Sequence, residues 1–273
     1  MGGSSKSLFI YAVVYLAFLY APIALLPIFA FNDSAVIAFP LSGGTLRWFS
    51  MLWEAKALQT ALYNSVLIAI TTALLSTGLG LFAARAAARY EFPAKRGILG
   101  FIMLPMILPE IIIGVALLVV LMQLGQPLSI WTVVLGHVLV CTPFSFAILS
   151  TAFNSMDNSL EEASLDLGES GTATFFRVIL PLVAPGIVAS LLVTFTLSLD
   201  EFIIAFFLTG SDVTLPVYIW SQLRFPARLP SVMALGLLMV LMSLMLLLIA
   251  EFFRRRSSRL VSGVSSIPEE PLL

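Results

Sequence analysis

The chain has 273 residues, of which 60% are hydrophobic and 11% are charged. A soluble globular domain has about 25% charged residues. This composition therefore excludes a soluble globular domain and predicts a membrane protein. The formal net charge of −1 gives no indication of nucleic-acid or acidic partners. A single cysteine, Cys141, excludes a disulfide framework. The almost continuously apolar run at 101–122 excludes an outer-membrane barrel, whose strands alternate over about ten residues.

Long apolar windows predict an all-α integral membrane fold with six transmembrane helices, each of which needs about 20 apolar residues. The first window is too long for a secretory signal and is predicted to be a retained span. We expect one transmembrane domain at 1–273, with a loop at 154–181 and a tail at 254–273. The predicted spans lie near residues 8–31, 60–86, 98–122, 130–152, 182–208 and 230–252.

Lysine and arginine are unevenly distributed between the two sides of these spans. Ten of the fourteen lie on the side of the N-terminus, which predicts that both termini are cytoplasmic, because cytoplasmic loops carry an excess of positive charge. The loop at 154–181 has five acids and a single Arg177, but acids weigh little in this rule. On the outer side, the segments 32–59 and 209–231 each predict a short interfacial helix.

Two features inside the spans predict local geometry. Pro105 and Pro109 lie four residues apart in the third span, and each lacks a backbone donor, so we expect a kink or an opened turn there. In the second span, Gly80, Ala84 and Ala88 recur every four positions, a spacing that permits close contact between helices.

The most specific segment is the loop at 154–181. Ser159 is a predicted N-cap, and Glu162 follows three residues later, as in a capping box. Gly168 suits the left-handed position that ends a helix, so the loop is predicted to form two short helices around a glycine break. A hairpin of this kind could also simply pack beneath the transmembrane helices.

These loop residues resemble the EAA motif of bacterial ABC importer permeases, which is Glu-Ala-Ala, three residues, Gly, nine residues, Ile, one residue and Leu-Pro. This chain matches the spacing, with Ser164 in place of alanine and Val178 in place of isoleucine. The resemblance implies the type I importer permease (MetI-like) fold, whose cytoplasmic coupling-helix loop inserts into an ATPase subunit. It also implies that Gly168 allows the turn and that Glu162 sets the helix start and the polar contacts. The coupling-loop residues are Ser159, Glu161, Glu162, Ala163, Ser164, Gly168, Gly171, Leu180 and Pro181.

Further segments resemble the PotC-type permeases of spermidine/putrescine importers, namely 58–65, 160–168, 196–202, 215–218 and 224–225. This resemblance implies a subunit of the bacterial inner membrane that forms a pathway for polyamines. Its implied partners are a second, homologous permease, a cytoplasmic ABC ATPase dimer and an outer, periplasmic solute-binding protein. The sequence has no P-loop motif. We therefore expect no enzyme activity and no cofactor on this chain, with ATP and Mg bound by the partner ATPase.

Three acids, Glu110, Asp200 and Glu201, fall within predicted spans. Each costs about 2.5–3.5 kcal/mol at a helix centre, which favours a role in a pathway or a partner contact, although structural acids hydrogen-bonded between helices are an alternative. Carboxylates would attract a polycation, and aromatic side chains could add cation–π contacts or serve only in packing. The predicted pathway residues are Glu110, Thr196, Asp200, Glu201, Phe202, Tyr218 and Trp220.

Other interpretations are compatible with parts of the sequence. His137 and Cys141 lie four residues apart, but two ligands do not form a closed metal site, so we expect no metal. The same importer architecture could carry ferric iron or an organic anion. An intramembrane hydrolase that uses Glu110 with Asp200, and a secondary carrier, are alternatives of different classes.

Overall fold

The computed structural model describes residues 3–262, with side chains from residue 6 to residue 245. Its regular elements are helices, which confirms the predicted all-α fold for these residues. In chain order the elements are α1 (Gly3–Ala30), α2 (Arg47–Glu54), α3 (Lys56–Arg89), α4 (Lys95–Met103), a 3₁₀ turn (Leu104–Met106), α5 (Glu110–Gln123), α6 (Ile130–Asn154), α7 (Ser159–Asp166), α8 (Gly171–Thr174), a π-helix (Phe175–Ile179), α9 (Leu180–Asp200), α10 (Ile203–Leu208), α11 (Leu215–Gln222), a second 3₁₀ turn (Pro226–Arg228) and α12 (Leu229–Ser262).

Five helices in the described residues are long and apolar enough to cross a membrane, and the bent pair formed by α4 and α5 makes a possible sixth. The chain bends by 102° between the two members of this pair. Pro105 lies in the 3₁₀ turn and Pro109 directly precedes α5. The predicted kink is therefore confirmed, because both prolines lack the amide that would continue an α-helix.

The predicted span at 182–208 differs from the structure at both ends. The helical run begins at Gly171 and passes without a break through the π-helix into α9, so the second loop helix is not short. At the other end α9 stops at Asp200, and α10 begins at Ile203. The break arises because the carboxylate of Glu201 accepts the backbone amides that start α10, at 3.0 and 3.1 Å.

The predicted sixth span and tail also differ from the structure. Helix α12 continues to Ser262, past the expected end of the span at 252. The part of the expected tail at 254–262 is therefore helical, and the remainder, 263–273, lies outside the described residues.

The described residues form two compact units, of which the first contains residues up to 55 and from 221 onward. In this unit α12 packs against α1 and α2. The indole Nε1 of Trp48 donates to the carbonyl of Asn32 at 2.7 Å, and Arg47 pairs with Asp33 at 3.3 Å. These contacts fix α2, which is the short helix expected within 32–59.

The second unit, residues 56–220, is built on the mutual packing of α3, α6 and α9. A Cβ added at Gly80 would lie 2.1 Å from Oγ of Ser145, so α3 and α6 approach each other too closely there for any side chain. Ala84, one turn further along α3, is completely buried. The predicted close contact is thus confirmed.

A row of small polar side chains runs along the buried face of α9. Oγ of Ser190 contacts Oγ1 of Thr77 at 3.0 Å and Oγ of Ser145 at 2.8 Å. Thr194 and Ser198 follow at intervals of four residues on the same face, and both are buried. Hydroxyls can satisfy each other in this way without water, which allows polar residues to lie between tightly packed helices.

Candidate functional site

The predicted coupling loop begins with a different cap from the one that the sequence suggested. The carboxylate of Asp157 accepts the backbone amide of Ser159 at 2.9 Å, so the acceptor lies two residues upstream of the expected N-cap. This amide and the Ser159 hydroxyl hold the pKa of Asp157 below its usual value. The predicted Ser159–Glu162 capping box is wrong, because the Ser159 amide, which Glu162 was expected to accept, donates to Asp157 instead.

The end of α7 has the geometry that the sequence predicts. Gly168 adopts a φ of +89°, which glycine tolerates because it has no Cβ. Its amide donates to the carbonyl of Leu165 at 2.9 Å, and the amide of Glu169 donates to the carbonyl of Ser164 at 3.2 Å. This pair of bonds is a Schellman motif, which satisfies the last carbonyls of the helix.

Ser164, which replaces an alanine of the EAA motif, joins the two arms of the hairpin. Its Oγ lies 3.0 Å from Oγ1 of Thr174 on α8, and both side chains are buried. Helix α8 begins at Gly171 and is capped by Ser170, which accepts the amide of Ala173 at 3.2 Å. Serine in place of alanine at position 164 therefore keeps a small side chain between the two arms and adds a hydrogen bond between them.

The two neighbouring glutamates of the loop have different surroundings. Glu161 pairs with Arg85 at 3.1 Å and with Arg89 at 2.9 Å, both on α3. Glu162 and Ala163 are exposed. The expectation that Glu162 sets the helix start is wrong, and within the described residues Glu161 is the glutamate that fixes the loop to α3.

Several apolar side chains on α7 and directly after it face outward. Leu167 is 86% exposed, and Leu160 and Leu165 are each 45% exposed. At the far end of the hairpin, Leu180 and Pro181 form the first turn of α9, with Leu180 half-buried and Pro181 exposed. The hairpin thus presents an apolar surface beside an acidic one.

The second group of predicted residues lies around the break between α9 and α10. Besides capping α10, the Glu201 carboxylate lies 3.2 Å from Nε2 of His137 on α6. Nδ1 of His137 lies 2.7 Å from Oγ of Ser198. The Glu201 side chain is only 8% exposed, so its contacts are with the protein itself.

Asp200 and Thr196 lie on a different face of α9 from Glu201. Both are exposed, and they are one turn apart. Glu110 is the first residue of α5, directly after the bend, and is exposed as well. The structure thus surrounds Glu201 with protein contacts, whereas Glu110 and Asp200 are both exposed.

The predicted aromatic residues meet at the break. The rings of Phe202 and Trp220 have centroids 5.6 Å apart, and Phe206 lies 5.5 Å from Phe202. Trp220 is 46% exposed, and Tyr218 is half-buried on the same helix, α11. A tilted arrangement at these distances is favourable between aromatic rings.

Sequence reasoning missed three contributors to these sites. From the sequence, His137 is only a candidate metal ligand, and Arg85 and Arg89 are two of the ten basic residues on the side of the N-terminus. The four-residue spacing of the two arginines, which puts both on one face of α3, was the available indication. Among the described residues, no group of three or more His, Cys, Asp or Glu side chains is arranged to hold a metal ion.

Residues 76–259 match the family described as "Binding-protein-dependent transport system inner membrane component". This chain belongs to that family. The permease is 33% identical over 247 residues to the spermidine/putrescine transport system permease protein PotC of Haemophilus influenzae, which covers 90% of this chain and 95% of the relative. It is 34% identical over 234 residues to the putrescine transport system permease protein PotI of Escherichia coli, covering 82% of each chain. The predicted family resemblance is confirmed.

The fold of the permease is also found in a solved structure. A bacterial ABC transporter involved in the import of the acidic polysaccharide alginate matches with a TM-score of 0.72. The match covers 92% of this chain and 94% of the other, at 17% sequence identity. The predicted importer permease fold is therefore confirmed.

Proposed function

We propose that this permease is the transmembrane subunit of an ATP-driven importer for polyamines such as spermidine and putrescine. The observation that carries the proposal is the 33% identity to PotC, which extends over 90% of this chain. A polyamine is a flexible polycation, and the exposed carboxylates of Asp200 and Glu110 have the complementary charge.

The exposed face of α9 is the proposed solute path. Asp200 and Thr196 lie on it, while the opposite face is packed against α3 and α6. The Phe202 ring, two residues after Asp200, contacts the Trp220 ring, and an ammonium group over an aromatic ring gains about 0.5–2 kcal/mol. In this arrangement Asp200 binds the cation, whereas Glu201 holds the helix break in place.

The loop at 154–181 is the proposed contact with a cytoplasmic ABC ATPase, which binds ATP and Mg, while this chain binds no cofactor. Leu160, Leu165 and Leu167 supply exposed apolar area that such a contact would bury. Closure of the ATPase dimer would pull on the loop and switch the access of the path from one side to the other. A second permease completes the path, and a periplasmic solute-binding protein delivers the solute. Both termini are then cytoplasmic, in keeping with the distribution of positive charge.

The proposal is tested with this permease reconstituted in liposomes with its partner permease, ATPase and solute-binding protein. We expect ATP-dependent uptake of labelled spermidine and putrescine. Asp200→Asn should lower uptake about tenfold or more, because a hydrogen bond to a charged group contributes about 1.5–3 kcal/mol. Assembly with the ATPase should remain intact in this variant.

Glu54→Gln is the matched control, since Glu54 is an exposed acid on α2, outside the proposed path. It should leave uptake unchanged. Assembly with ATP hydrolysis but without polyamine uptake would overturn the polyamine assignment. Full uptake by Asp200→Asn would remove that residue from the path.

A further inference from the structure

Two arginines near the end of α3 bind one carboxylate of α7. Nη2 of Arg85 lies 3.1 Å from Oε1 of Glu161, and Nε of Arg89 lies 2.9 Å from Oε2. The side chain of Arg85 is 15% exposed, that of Arg89 is 12% exposed and that of Glu161 is 19% exposed. An ion pair that is largely removed from water is screened by salt far less than a surface pair, so this cluster connects α3 to α7 firmly.

The same arginines also hold the segments on either side of α7. Nη1 of Arg89 donates to Oδ1 of Asn158, just before the helix. The guanidinium of Arg85 lies over the ring of Phe175, 4.8 Å from its centroid, in the π-helix. Both arms of the hairpin are therefore fixed to one turn of α3.

The opposite end of α3 holds the loop that follows α10. The side-chain amide of Asn64 donates to the carbonyl of Val213 at 3.1 Å, and Oγ of Ser65 accepts the amide of Leu215 at 2.7 Å. Asn64 and Arg85 are 21 residues apart on α3, which corresponds to about 30 Å at about 1.5 Å per residue. One uninterrupted helix thus touches the coupling hairpin at one position and the loop after α10 at the other.

We propose that the cluster of Arg85, Glu161 and Arg89 is the link through which movement of α7 drives α3 and, through it, the segment 209–215. The inference rests on the proposed function, because it assigns positioning residues for the coupling between ATP and transport. A helix transmits displacement along its axis, and the ion pairs prevent α7 from sliding over α3. Glu162, exposed beside the cluster, remains available to the ATPase.

The experiment uses the assembled complex with Glu161→Gln, measured in two ways. The first readout is the number of polyamine molecules transported per ATP hydrolysed, which should fall about tenfold, within the range of about 5- to 150-fold that is typical of coupling between sites. The second is the hydrogen exchange of 209–215 with and without a non-hydrolysable ATP analogue. We expect this nucleotide response to disappear in the variant, while assembly and ATP hydrolysis persist.

Two further variants separate coupling from folding. Combining Arg85→Gln and Arg89→Gln with Glu161→Gln should lower transport per ATP by less than the product of the separate losses, because groups that act as one unit are not additive. Arg89→Lys keeps the charge without the planar fork of the guanidinium. It should assemble normally and lose only part of the exchange response.

The control is Glu91→Gln, which removes another acid near the same end of α3. Glu91 pairs with Lys95 at 2.8 Å but is 90% exposed, so the variant should behave like the unmodified permease. The inference is overturned if Glu161→Gln keeps its exchange response and transport per ATP, or if assembly, hydrolysis and transport all fall in proportion. If the unmodified complex moves no polyamine, the proposed solute fails, and the exchange response still decides whether the link exists.

Discussion

Asp200 and Glu201 are neighbours in sequence, but their carboxylates are in different environments. Glu201 is 8% exposed and accepts two backbone amides beside His137. Asp200 is exposed on the other face of the helix. A buried carboxylate is tolerated only when it is paired and hydrogen-bonded, and Glu201 meets that condition. In the proposed path, the exposed Asp200 carboxylate is the group that accepts a cation.

Replacing these two acids should separate stability from transport. Glu201→Ala removes the cap of α10, which costs about 0.5–2 kcal/mol, and leaves His137 without its carboxylate partner. We expect a lower melting temperature of the purified permease in detergent, followed by circular dichroism. Asp200→Ala is the matched control and should melt like the unmodified protein. Equal decreases in melting temperature in the two variants would contradict the different roles of Glu201 and Asp200.

At the same scale, sequence reasoning recognised the acids but not their partners. Helical periodicity correctly put Thr194 and Ser198 on one buried face of α9, but Glu201 lies beyond the end of that helix. It gave no means of finding His137, because that contact depends on how α6 packs against α9. The sequence also could not decide which residue caps α7, because aspartate and serine are both good capping residues and Asp157 and Ser159 lie two positions apart.

Among the elements, the packing of α3 against α6 depends closely on the size of the residue at the contact. Gly80 lies against Ser145 of α6, whereas a Cβ at Gly78 would meet nothing within 4 Å. The two glycines share a helix but face different surroundings. This difference makes them a controlled pair for measuring the helix contact.

Gly80→Ala should destabilise the permease, because an added methyl group in a tightly packed contact costs about 1–3 kcal/mol. Gly78→Ala should be neutral or stabilising by up to about 1 kcal/mol, since alanine favours a helix more than glycine does. The measurement is the melting temperature of each purified variant in the same detergent. Similar destabilisation by both would show that α3 and α6 do not meet at Gly80.

Sequence patterns predicted the helices better than their interruptions. Apolar length located the spans, and Pro105 with Pro109 located the bend. The break after Asp200 was missed because no proline or glycine marks it, and a side chain produces it instead. A helix end could therefore be predicted where a glycine marks it, as at Gly168. It could not be predicted where a side-chain carboxylate accepts the backbone amides, as at Glu201.

For the whole molecule, a few residues at fixed spacing were enough to predict the family, since the EAA pattern depends on the local geometry of the hairpin. The fold followed from the family and from apolar length. The solute could not be derived in the same way, because a carboxylate attracts many cations. The prediction that the hairpin faces the cytoplasm rests on the distribution of positive charge alone.

The orientation is open to direct measurement with single cysteines. Leu167 on the hairpin is 86% exposed, Ser211 is exposed after α10, and the native Cys141 is only 2% exposed. A membrane-impermeant maleimide should label Ser211→Cys from outside the cell and Leu167→Cys only in inverted vesicles. The unmodified permease should stay unlabelled in both. The reverse pattern would overturn the predicted topology.

The π-helix at Phe175–Ile179 gives the hairpin one position at which its length can change. A π turn contains one residue more than an α turn, and it takes up that residue within the turn, so the helices on either side stay nearly in phase. Deleting one residue from this turn would restore an ordinary α-helix and leave Glu161 facing Arg85 and Arg89. A deletion elsewhere in the helical run from Gly171 to Asp200 would rotate the hairpin by about 100° relative to α9. The loss of a single residue should therefore be tolerated at the π turn far more readily than on either side of it.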